Sequence, residues 1–122
     1  MNVSVVIPTY NRKPILKKCL YSLEKQTLNS LVKNYEVVVV DDGSTDGTID
    51  WLKENLDKLP HVVLYEQKHG GPALGRNLGV EKSKGEVVVF IDSDLVVDKY
   101  FLKYYVDSLL KAWEKLGNRK CF

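Results

Sequence analysis

The sequence has few of the features that mark a secreted, membrane-spanning or nucleic-acid-binding protein. Its two cysteines, Cys19 and Cys121, form neither a metal-binding spacing nor a disulfide framework. No apolar run approaches the length of about 18 residues that a membrane helix needs. The 18 basic and 16 acidic residues are interspersed and leave a net charge of only +2. We therefore expect no nucleic-acid partner, no transmembrane segment and a cytoplasmic location, either free or peripheral at the inner face of the membrane.

Two glycine-rich signatures are also missing after the first apolar run. A dinucleotide-dependent oxidoreductase would carry G-x-G-x-x-G at this point, and the motif is absent. A nucleotidyltransferase would be expected to place a glycine-rich, basic phosphate loop there, but the segment PTYNRKPI contains no glycine. The sequence therefore disfavours both enzyme classes.

Short β-branched runs do alternate with longer helical patterns along the whole chain. The strand-like runs are almost continuously apolar, which is typical of parallel strands buried on both faces. They are VSVVIP (3–8), YEVVVV (35–40), HVVLYE (61–66) and EVVVFI (86–91). Helical patterns follow each of them, over 13–26, 46–59, 71–85 and 98–117. This order predicts one α/β domain over 1–122, a three-layer αβα Rossmann-like fold with a mainly parallel sheet in the strand order 3-2-1-4.

The helical patterns also predict which side chains face the sheet and where the helices begin and end. Apolar residues at helical spacing in the first two patterns should be buried. They are Ile15, Leu16, Cys19, Leu20, Leu23, Ile49, Leu52, Leu56 and Leu59. Pro72 suits the first turn of the third helix and Gly85 its exit, whereas Asp98 should open the fourth helix and Gly117 close it.

Several polar and aromatic residues have a structural interpretation. We predict that Asp46 caps the second helix and that Gly43 serves the turn before it. Gly75 and Gly79 lie four residues apart and should let the third helix approach the sheet closely. The two histidines, His61 and His69, have no partner at metal spacing and are predicted to be structural or exposed. The aromatic group is predicted to pack rather than to form an acceptor platform, and comprises Tyr100, Phe101, Tyr104, Tyr105 and Trp113.

Three polar strand tips should meet at one edge of this sheet. The first strand ends in IPTYNR, the second in DDGSTD and the fourth in IDSD, and ligands of such sheets bind at the carboxyl ends of the strands. Asp92 and Asp94 are two residues apart in an extended segment, so both carboxylates can point to one site while Ser93 points elsewhere. Hard carboxylates without clustered histidine or cysteine suit Mg²⁺ or Mn²⁺, completed by water and the phosphate oxygens of a diphosphate. The alternative is that one of these acids caps the following loop or helix.

Four blocks of this sequence resemble the nucleotide-binding half of family 2 glycosyltransferases, which have the GT-A fold. They are VSVVIPTYNR, VVVVDDGSTDGT, GGPALGRNLGV and GEVVVFIDSDLVVD, in that order and spanning residues 3–98. The resemblance implies an enzyme that transfers a sugar from a nucleoside diphosphate sugar, commonly a UDP-sugar, to an acceptor hydroxyl. It also implies a divalent metal, Mn²⁺ or Mg²⁺, that bridges the diphosphate.

The resemblance assigns roles to residues by matching position. Pro8, Thr9 and Tyr10 would line the base and ribose pocket, Asp41 or Asp42 would accept a hydrogen bond from the base, and Arg76 would approach the base or the phosphates. Asp94 would be the principal metal ligand, with Asp92 facing the ribose or the metal. The complete implied nucleotide-sugar-binding set is Pro8, Thr9, Tyr10, Asn11, Arg12, Asp41, Asp42, Gly43, Arg76, Asp92 and Ser93. A uracil imide N–H is a donor that an ionised aspartate accepts, which distinguishes uracil from cytosine.

The resemblance covers donor binding and not the whole reaction. In the family the general base lies downstream of the Asp-x-Asp motif, so no catalytic base is assigned, and Asp107 and Glu114 are not nominated. We expect an N-terminal portion that lacks the acceptor-binding half, with the acceptor unidentified among glycans, lipids and proteins. A non-catalytic nucleotide-sugar binding module, or an inactive fragment, remains the alternative. The edge strand 86–91 would then be open to pairing with a second copy.

Overall fold

The computed structural model describes residues 1–115, which form four strands and four helices in strict alternation. The strands are β1 (Asn2–Thr9), β2 (Asn34–Asp41), β3 (Val62–Glu66) and β4 (Val87–Phe90). The helices are α1 (Lys13–Glu24), α2 (Thr48–Asn55), α3 (Pro72–Lys82) and α4 (Phe101–Lys115), and a short 3-10 helix (Leu56–Lys58) follows α2. Each strand lies within two residues of its predicted bounds, because β-branched runs bounded by turn residues define strands well.

The sheet is parallel throughout and has the order β3-β2-β1-β4. This confirms the predicted α/β class and the strand order 3-2-1-4. All four strands run the same way, so the segments that follow them emerge at one edge of the sheet, which we call the carboxyl edge. The opposite edge, where the strands begin, is called the amino edge.

The two faces of the sheet are covered unequally. Helices α1, α2 and α4 pack on one face around a large core that includes Leu20, Leu52 and Leu102. Helix α3 covers the other face with a small core around Val6, Val38 and Val40. The central strands β1 and β2 are buried on both faces as predicted, but Val63 on β3 and Phe90 on β4 are exposed, because both lie on the face where the single helix α3 packs over the central strands.

Helix α3 lies close to the sheet because it carries glycine where it crosses β1. A Cβ atom added at Gly79 would lie 2.2 Å from Cγ1 of Val6, and one added at Gly75 would lie 3.1 Å from Cβ of Pro8. The predicted close approach is therefore confirmed. It places the first turns of α3 beside the tip of β1.

Some predicted apolar positions are not buried. Ile15 is exposed because the buried stripe of α1 consists of Leu16, Cys19, Leu20 and Leu23, a single i, i+3, i+4, i+7 pattern. Leu56 is also exposed, since the regular helix stops at Asn55 and the tighter 3-10 turn carries Leu59 into the core instead. Ile49 is only partly buried.

Two predicted helix boundaries were wrong. Helix α3 ends at Lys82, and Gly85 instead lies against β1, where an added Cβ would be 2.6 Å from the backbone nitrogen of Ser4. Asp98 lies three residues before α4, where its carboxylate accepts a hydrogen bond from the amide of Tyr100 at 2.8 Å. The start of α4 is held by the buried Gln26, whose side-chain oxygen accepts from the amide of Leu102 at 3.0 Å.

The aromatic group on and before α4 is only partly packed. Phe101 packs against the core, but Tyr104 and Tyr105 are exposed, so the packing prediction is wrong for these two. The predicted helix end at Gly117 and the second cysteine, Cys121, lie outside the described residues. Within 1–115 no helix is long and apolar enough to cross a bilayer. The predicted pairing of a second copy along β4 stays a prediction.

Candidate functional site

A cavity of about 470 Å³ opens at the carboxyl edge, where the segments after all four strands converge. The predicted meeting of the tips of β1, β2 and β4 is thus observed, and the loop between β3 and α3 joins them. The cavity is lined by Pro8, Thr9, Tyr10, Arg12, Asp42, His69, Gly71, Pro72, Arg76, Asp92, Ser93 and Asp94.

The segment after β1 supplies one wall of the cavity. Pro8, Thr9, Tyr10 and Arg12 line it, but Asn11 does not. The backbone of Asn11 has φ 49°, and its side-chain oxygen accepts a hydrogen bond from the amide of Thr45 at 2.7 Å. Asn11 therefore fastens the loop after β1 to the loop after β2.

The two aspartates at the tip of β2 have different positions. Asp41 is fully buried beneath the loop, where its Oδ2 accepts from the amides of Gly43 and Ser44 at 3.1 Å and 2.8 Å. It does not line the cavity, whereas Asp42 does. Gly43 has φ 82° and forms the predicted turn, again outside the cavity lining.

Both oxygens of the Asp42 carboxylate are hydrogen-bonded. Oδ1 accepts from the side-chain amide of Gln67 at 2.7 Å and from the amide of Gly70 at 2.8 Å. Oδ2 accepts from the amide of Gly71 at 3.1 Å and lies 2.9 Å from Nδ1 of His69. Burial raises the pKa of Asp42, but these hydrogen bonds and the nearby imidazole outweigh it and leave the pKa below its ordinary value. Asp42 is therefore an anion. Nδ1 of His69 donates to the backbone carbonyl of Asp42 at 3.1 Å, so the same N–H also faces the carboxylate.

His69 is exposed, as predicted, but its place beside the cavity was not anticipated from the sequence. Its ring lies 4.4 Å from the ring of Tyr10, tilted by 32°, and it lines the cavity. Because all strands are parallel, the loop after β3 had to reach the same edge as the other three tips. That topological rule was the available signal for His69 and Gln67, and it was applied only to the other strands.

The loop after β2 also shows how the beginnings of α1 and α2 are joined. The predicted cap of α2, Asp46, lies one residue too early, since Gly47 occupies the cap position with φ 86°. The Oδ1 of Asp46 accepts from Thr48, and its Oδ2 accepts from the amide of Lys13 at 3.0 Å. Burial raises the pKa of Asp46, but the hydrogen bonds from Thr48 and Lys13 outweigh it and lower the pKa on balance.

Two cations face the cavity from different elements. Arg12 follows β1 and Arg76 lies in the second turn of α3, and both are exposed and line the cavity. Neither forms an ion pair with any other residue in 1–115. Unpaired arginines in a concave site can bind phosphate oxygens in a bidentate manner.

The segment after β4 presents its two carboxylates to the cavity. Asp92 and Asp94 are exposed, and neither side chain forms a hydrogen bond or ion pair within the described part of the chain. Ser93 between them is buried yet also lines the cavity. The neighbouring Cys19 is an inert thiol, because burial and, to a smaller extent, the charge of Asp94 raise its pKa to about 12.

The donor set at this point fits a hard divalent cation, although it is incomplete as a protein cage. Residues 1–115 contain no group of three or more His, Cys, Asp or Glu side chains that could hold a metal ion. Asp92 and Asp94 supply two carboxylates without competing partners, and Mg²⁺ and Mn²⁺ commonly take their remaining ligands from water and substrate phosphate.

Two buried polar atoms at this edge have no hydrogen-bond partner among the described residues. They are Oγ1 of Thr9, a cavity-lining residue, and Oδ1 of Asp41, whose residue pairs with Thr9 across β1 and β2. Buried polar groups are rarely left unpaired in folded proteins, so such atoms mark a place for water or a polar ligand atom.

The family model "Glycosyl transferase family 2" matches residues 4–116. The poly(ribitol-phosphate) beta-glucosyltransferase of Bacillus spizizenii is 38% identical over 86% of this chain and 17% of its own length. The uncharacterized glycosyltransferase YibD of Escherichia coli is 37% identical over 92% of this chain and 30% of its own.

Two solved structures resemble the fold and contain nucleotide sugars. S. aureus TarS 1-349 in complex with UDP-GlcNAc has a TM-score of 0.76 and 34% identity over 93% of this chain and 32% of that one. The mannosyltransferase PcManGT of Pyrobaculum calidifontis, in complex with GDP-Man and Mn2+, has a TM-score of 0.67 and 34% identity, covering 75% of this chain and 27% of that one. The chain thus spans less than a third of the length of each of these four relatives.

Proposed function

This chain belongs to glycosyl transferase family 2, and from that premise we propose that it binds the sugar donor of a glycosyltransferase. The donor is a nucleoside diphosphate sugar, with a UDP-sugar favoured, and the reaction transfers its sugar to an acceptor hydroxyl. The observation that carries the proposal is the cavity at the carboxyl edge. It is lined by an aromatic ring and a carboxylate, by two arginines and by a pair of aspartates, which are Tyr10, Asp42, Arg12, Arg76, Asp92 and Asp94. We further propose that residues 1–122 form one donor-binding domain and that acceptor binding belongs to another segment.

The nucleoside is assigned to the side of the cavity formed by Tyr10 and Asp42. Tyr10 is 43% exposed and offers its ring for stacking, while the ionised Asp42 can accept a hydrogen bond from an imide N–H. This chemistry favours uracil over cytosine. Thr9 contributes a hydroxyl that lacks a partner within 1–115 and suits a polar atom of the nucleoside.

The diphosphate is assigned to Arg12, Arg76, Asp92 and Asp94. The arginines would bind phosphate oxygens directly and hold the donor in one orientation. Asp92 and Asp94 would hold a divalent cation, Mg²⁺ or Mn²⁺, which when bound supplies positive charge against the negative charge of the departing diphosphate. TarS with UDP-GlcNAc and PcManGT with GDP-Man and Mn2+ support this class of ligand.

A non-catalytic nucleotide-sugar binding module is the alternative. Attack on the donor needs a general base for the acceptor hydroxyl. Asp107 is paired along α4 with Lys111 at 3.0 Å, and it is not among the residues that line the cavity. Release of free sugar from a UDP-sugar, or its transfer to an added acceptor, would favour the enzyme over the binding module.

Calorimetric titration with UDP and GDP, with and without Mn²⁺, tests the proposal. We expect UDP to bind more tightly when Mn²⁺ is present, and Asp94→Ala to remove most of that gain, about 10-fold or more in Kd. The matched control is Asp57→Ala, an exposed aspartate in the 3-10 helix that does not line the cavity, and it should leave binding unchanged. Binding that neither Mn²⁺ nor Asp94→Ala alters would refute the metal assignment. Failure of every nucleotide to bind would refute the donor-binding function.

A further inference from the structure

The carboxylate of Asp42 has no open hydrogen-bonding site. An ionised carboxylate has about four lone-pair positions. Three donors hydrogen-bond to it: Gln67 Nε2 and the Gly70 amide at Oδ1, and the Gly71 amide at Oδ2. The ring of His69 covers the remaining approach, since its Nδ1 lies 2.9 Å from Oδ2 while it donates to the backbone carbonyl of Asp42 at 3.1 Å. A nucleobase can therefore donate to Asp42 only after one of these four groups has left.

Only one of these four groups can leave at little cost. Gly70 and Gly71 donate through backbone amides at the beginning of α3, so their movement would shift the helix start. Gln67 is half-buried, whereas the His69 side chain is 61% exposed. Rotation of an exposed side chain requires no backbone movement, so His69 is the group to be replaced.

The position of the His69 ring matches the chemistry that the site offers a base. The imidazole is a flat ring that lies against Tyr10, and its Nδ1–H donates to the backbone carbonyl of Asp42 at 3.1 Å and lies 2.9 Å from the carboxylate Oδ2. A uracil ring is also flat and also carries one ring N–H donor. The two rings cannot occupy the same face of Tyr10 and the same oxygen of Asp42 at once.

We propose that His69 occupies the nucleobase position of its own binding site, so that the nucleotide binds only when the imidazole turns away from Tyr10 and Asp42. This inference rests on the proposed nucleotide-binding function and adds a regulation of the same site. Only molecules in which His69 has left the nucleobase position can bind the nucleotide. The apparent affinity is therefore the intrinsic affinity multiplied by the fraction of molecules in which the position is open.

The test compares UDP binding by the wild type, His69→Ala and His69→Asn in one buffer at neutral pH. We expect His69→Ala to bind UDP about 3- to 10-fold more tightly than the wild type, because the nucleobase position is always open in this variant. His69→Asn retains a donor but loses the ring, so its affinity should lie between the other two.

The second histidine provides an internal control. The chain contains only His61 and His69, so NMR can follow both imidazoles separately. UDP should shift the ring signals of His69 and leave those of His61, at the amino edge, unchanged. Weaker UDP binding by His69→Ala than by the wild type, or equal affinity of the two, would overturn the inference while leaving the proposed function intact. Failure of the wild type and both variants to bind any nucleotide would overturn both.

Discussion

Each of the two histidines lies against a tyrosine ring and a carboxylate, at opposite edges of the sheet. At the amino edge, His61 stacks on Tyr35 with a centroid distance of 4.1 Å and has its Nδ1 2.6 Å from Glu24. At the carboxyl edge, His69 lies 4.4 Å from Tyr10 and has its Nδ1 2.9 Å from Asp42. We call these groups the amino-edge trio and the carboxyl-edge trio.

The amino-edge trio is closed. The rings of His61 and Tyr35 are almost parallel, with an interplanar angle of 5°, and Tyr35 is only 5% exposed. The hydroxyl of Tyr35 donates to the carbonyl of Leu23, and the backbone amide of His61 donates to the same carboxylate as its ring. Burial, followed by the charge of Glu24, raises the pKa of Tyr35 to about 12.

The carboxyl-edge trio is open. Its rings are tilted by 32°, His69 is twice as exposed as His61, and Tyr10 faces the cavity. A histidine, a tyrosine and a carboxylate therefore form an enclosed contact at the amino edge and an exposed contact at the carboxyl edge. We expect that a ligand can replace only the exposed one. The difference lies in what surrounds them, because the helix end and strand start enclose the first trio while four divergent loops leave space beside the second.

The largest effect is expected when the carboxylate of each trio, Asp42 or Glu24, is replaced by the corresponding amide. Asp42→Asn should weaken UDP binding about 100-fold, because it removes the charge and one acceptor from the base position. Glu24→Gln makes the same chemical change in the amino-edge trio and should leave UDP binding unchanged while lowering the free energy of unfolding. Calorimetry and urea unfolding of both variants measure the two effects. If Asp42→Asn and Glu24→Gln weakened UDP binding equally, both would act by lowering the free energy of unfolding, and Asp42 would have no separate role at the base position.

The second test compares a glycine at each edge. Gly85→Ala at the amino edge would place a Cβ 2.6 Å from the backbone nitrogen of Ser4, so strands must shift, and we expect a loss of about 2 kcal/mol in unfolding free energy. At Gly75→Ala near the carboxyl edge, the one tight contact of the added Cβ would be with Cβ of Pro8 at 3.1 Å, and the gain in helix propensity of about 1 kcal/mol offsets that contact. Urea unfolding should therefore show a net change near zero for Gly75→Ala. A larger loss for Gly75→Ala than for Gly85→Ala would contradict the tighter packing around the glycine at the amino edge.

The smallest expected effect is the acid sensitivity of the carboxyl edge. The pKa values of Asp42 and Asp46 lie below their ordinary value in the folded chain, so both stabilise the fold above the unfolded pKa near 4. That contribution is lost as the pH falls through the folded pKa values. Asp46 is exposed and screened by solvent, so Asp46→Asn should reduce the acid-dependent loss by only about 0.5 kcal/mol.

Urea unfolding at neutral pH and below pH 4 measures this difference, with Asp57→Asn as the exposed control. A steeper acid dependence in Asp46→Asn than in the wild type would contradict the lowered pKa. An unchanged dependence in both variants would assign the acid sensitivity to Asp42 and to other groups.

Sequence patterns predicted the fold well where one physical rule operates alone. Continuous β-branched runs gave all four strands to within two residues, and the alternation of elements gave the strand order. Helix boundaries and buried faces were less predictable, since Gln26 rather than Asp98 supplies the contact at the start of α4. That contact joins residues 76 positions apart, so no local pattern contains it.

The candidate site was predicted in part. Nine of the proposed residues line the cavity, among them Tyr10, Asp42, Arg76 and Asp94, whereas Asn11 and Gly43 in the loops and Asp41 at the end of β2 do not. Asp41 and Asp42 are chemically identical neighbours in the sequence. Their hydrogen bonds and burial separate them, and these depend on the course of the loop after β2.

The sequence by itself determined the alternation of strands and helices and the edge at which polar residues gather, because side-chain periodicity and the parallel crossover rule act along the chain. Only the tertiary structure decided that His69 lies over Tyr10 while His61 is enclosed with Tyr35. Each pairing brings together residues from separate loops or strands, and a local sequence carries no information about which neighbours complete its hydrogen bonds or leave room for a ligand.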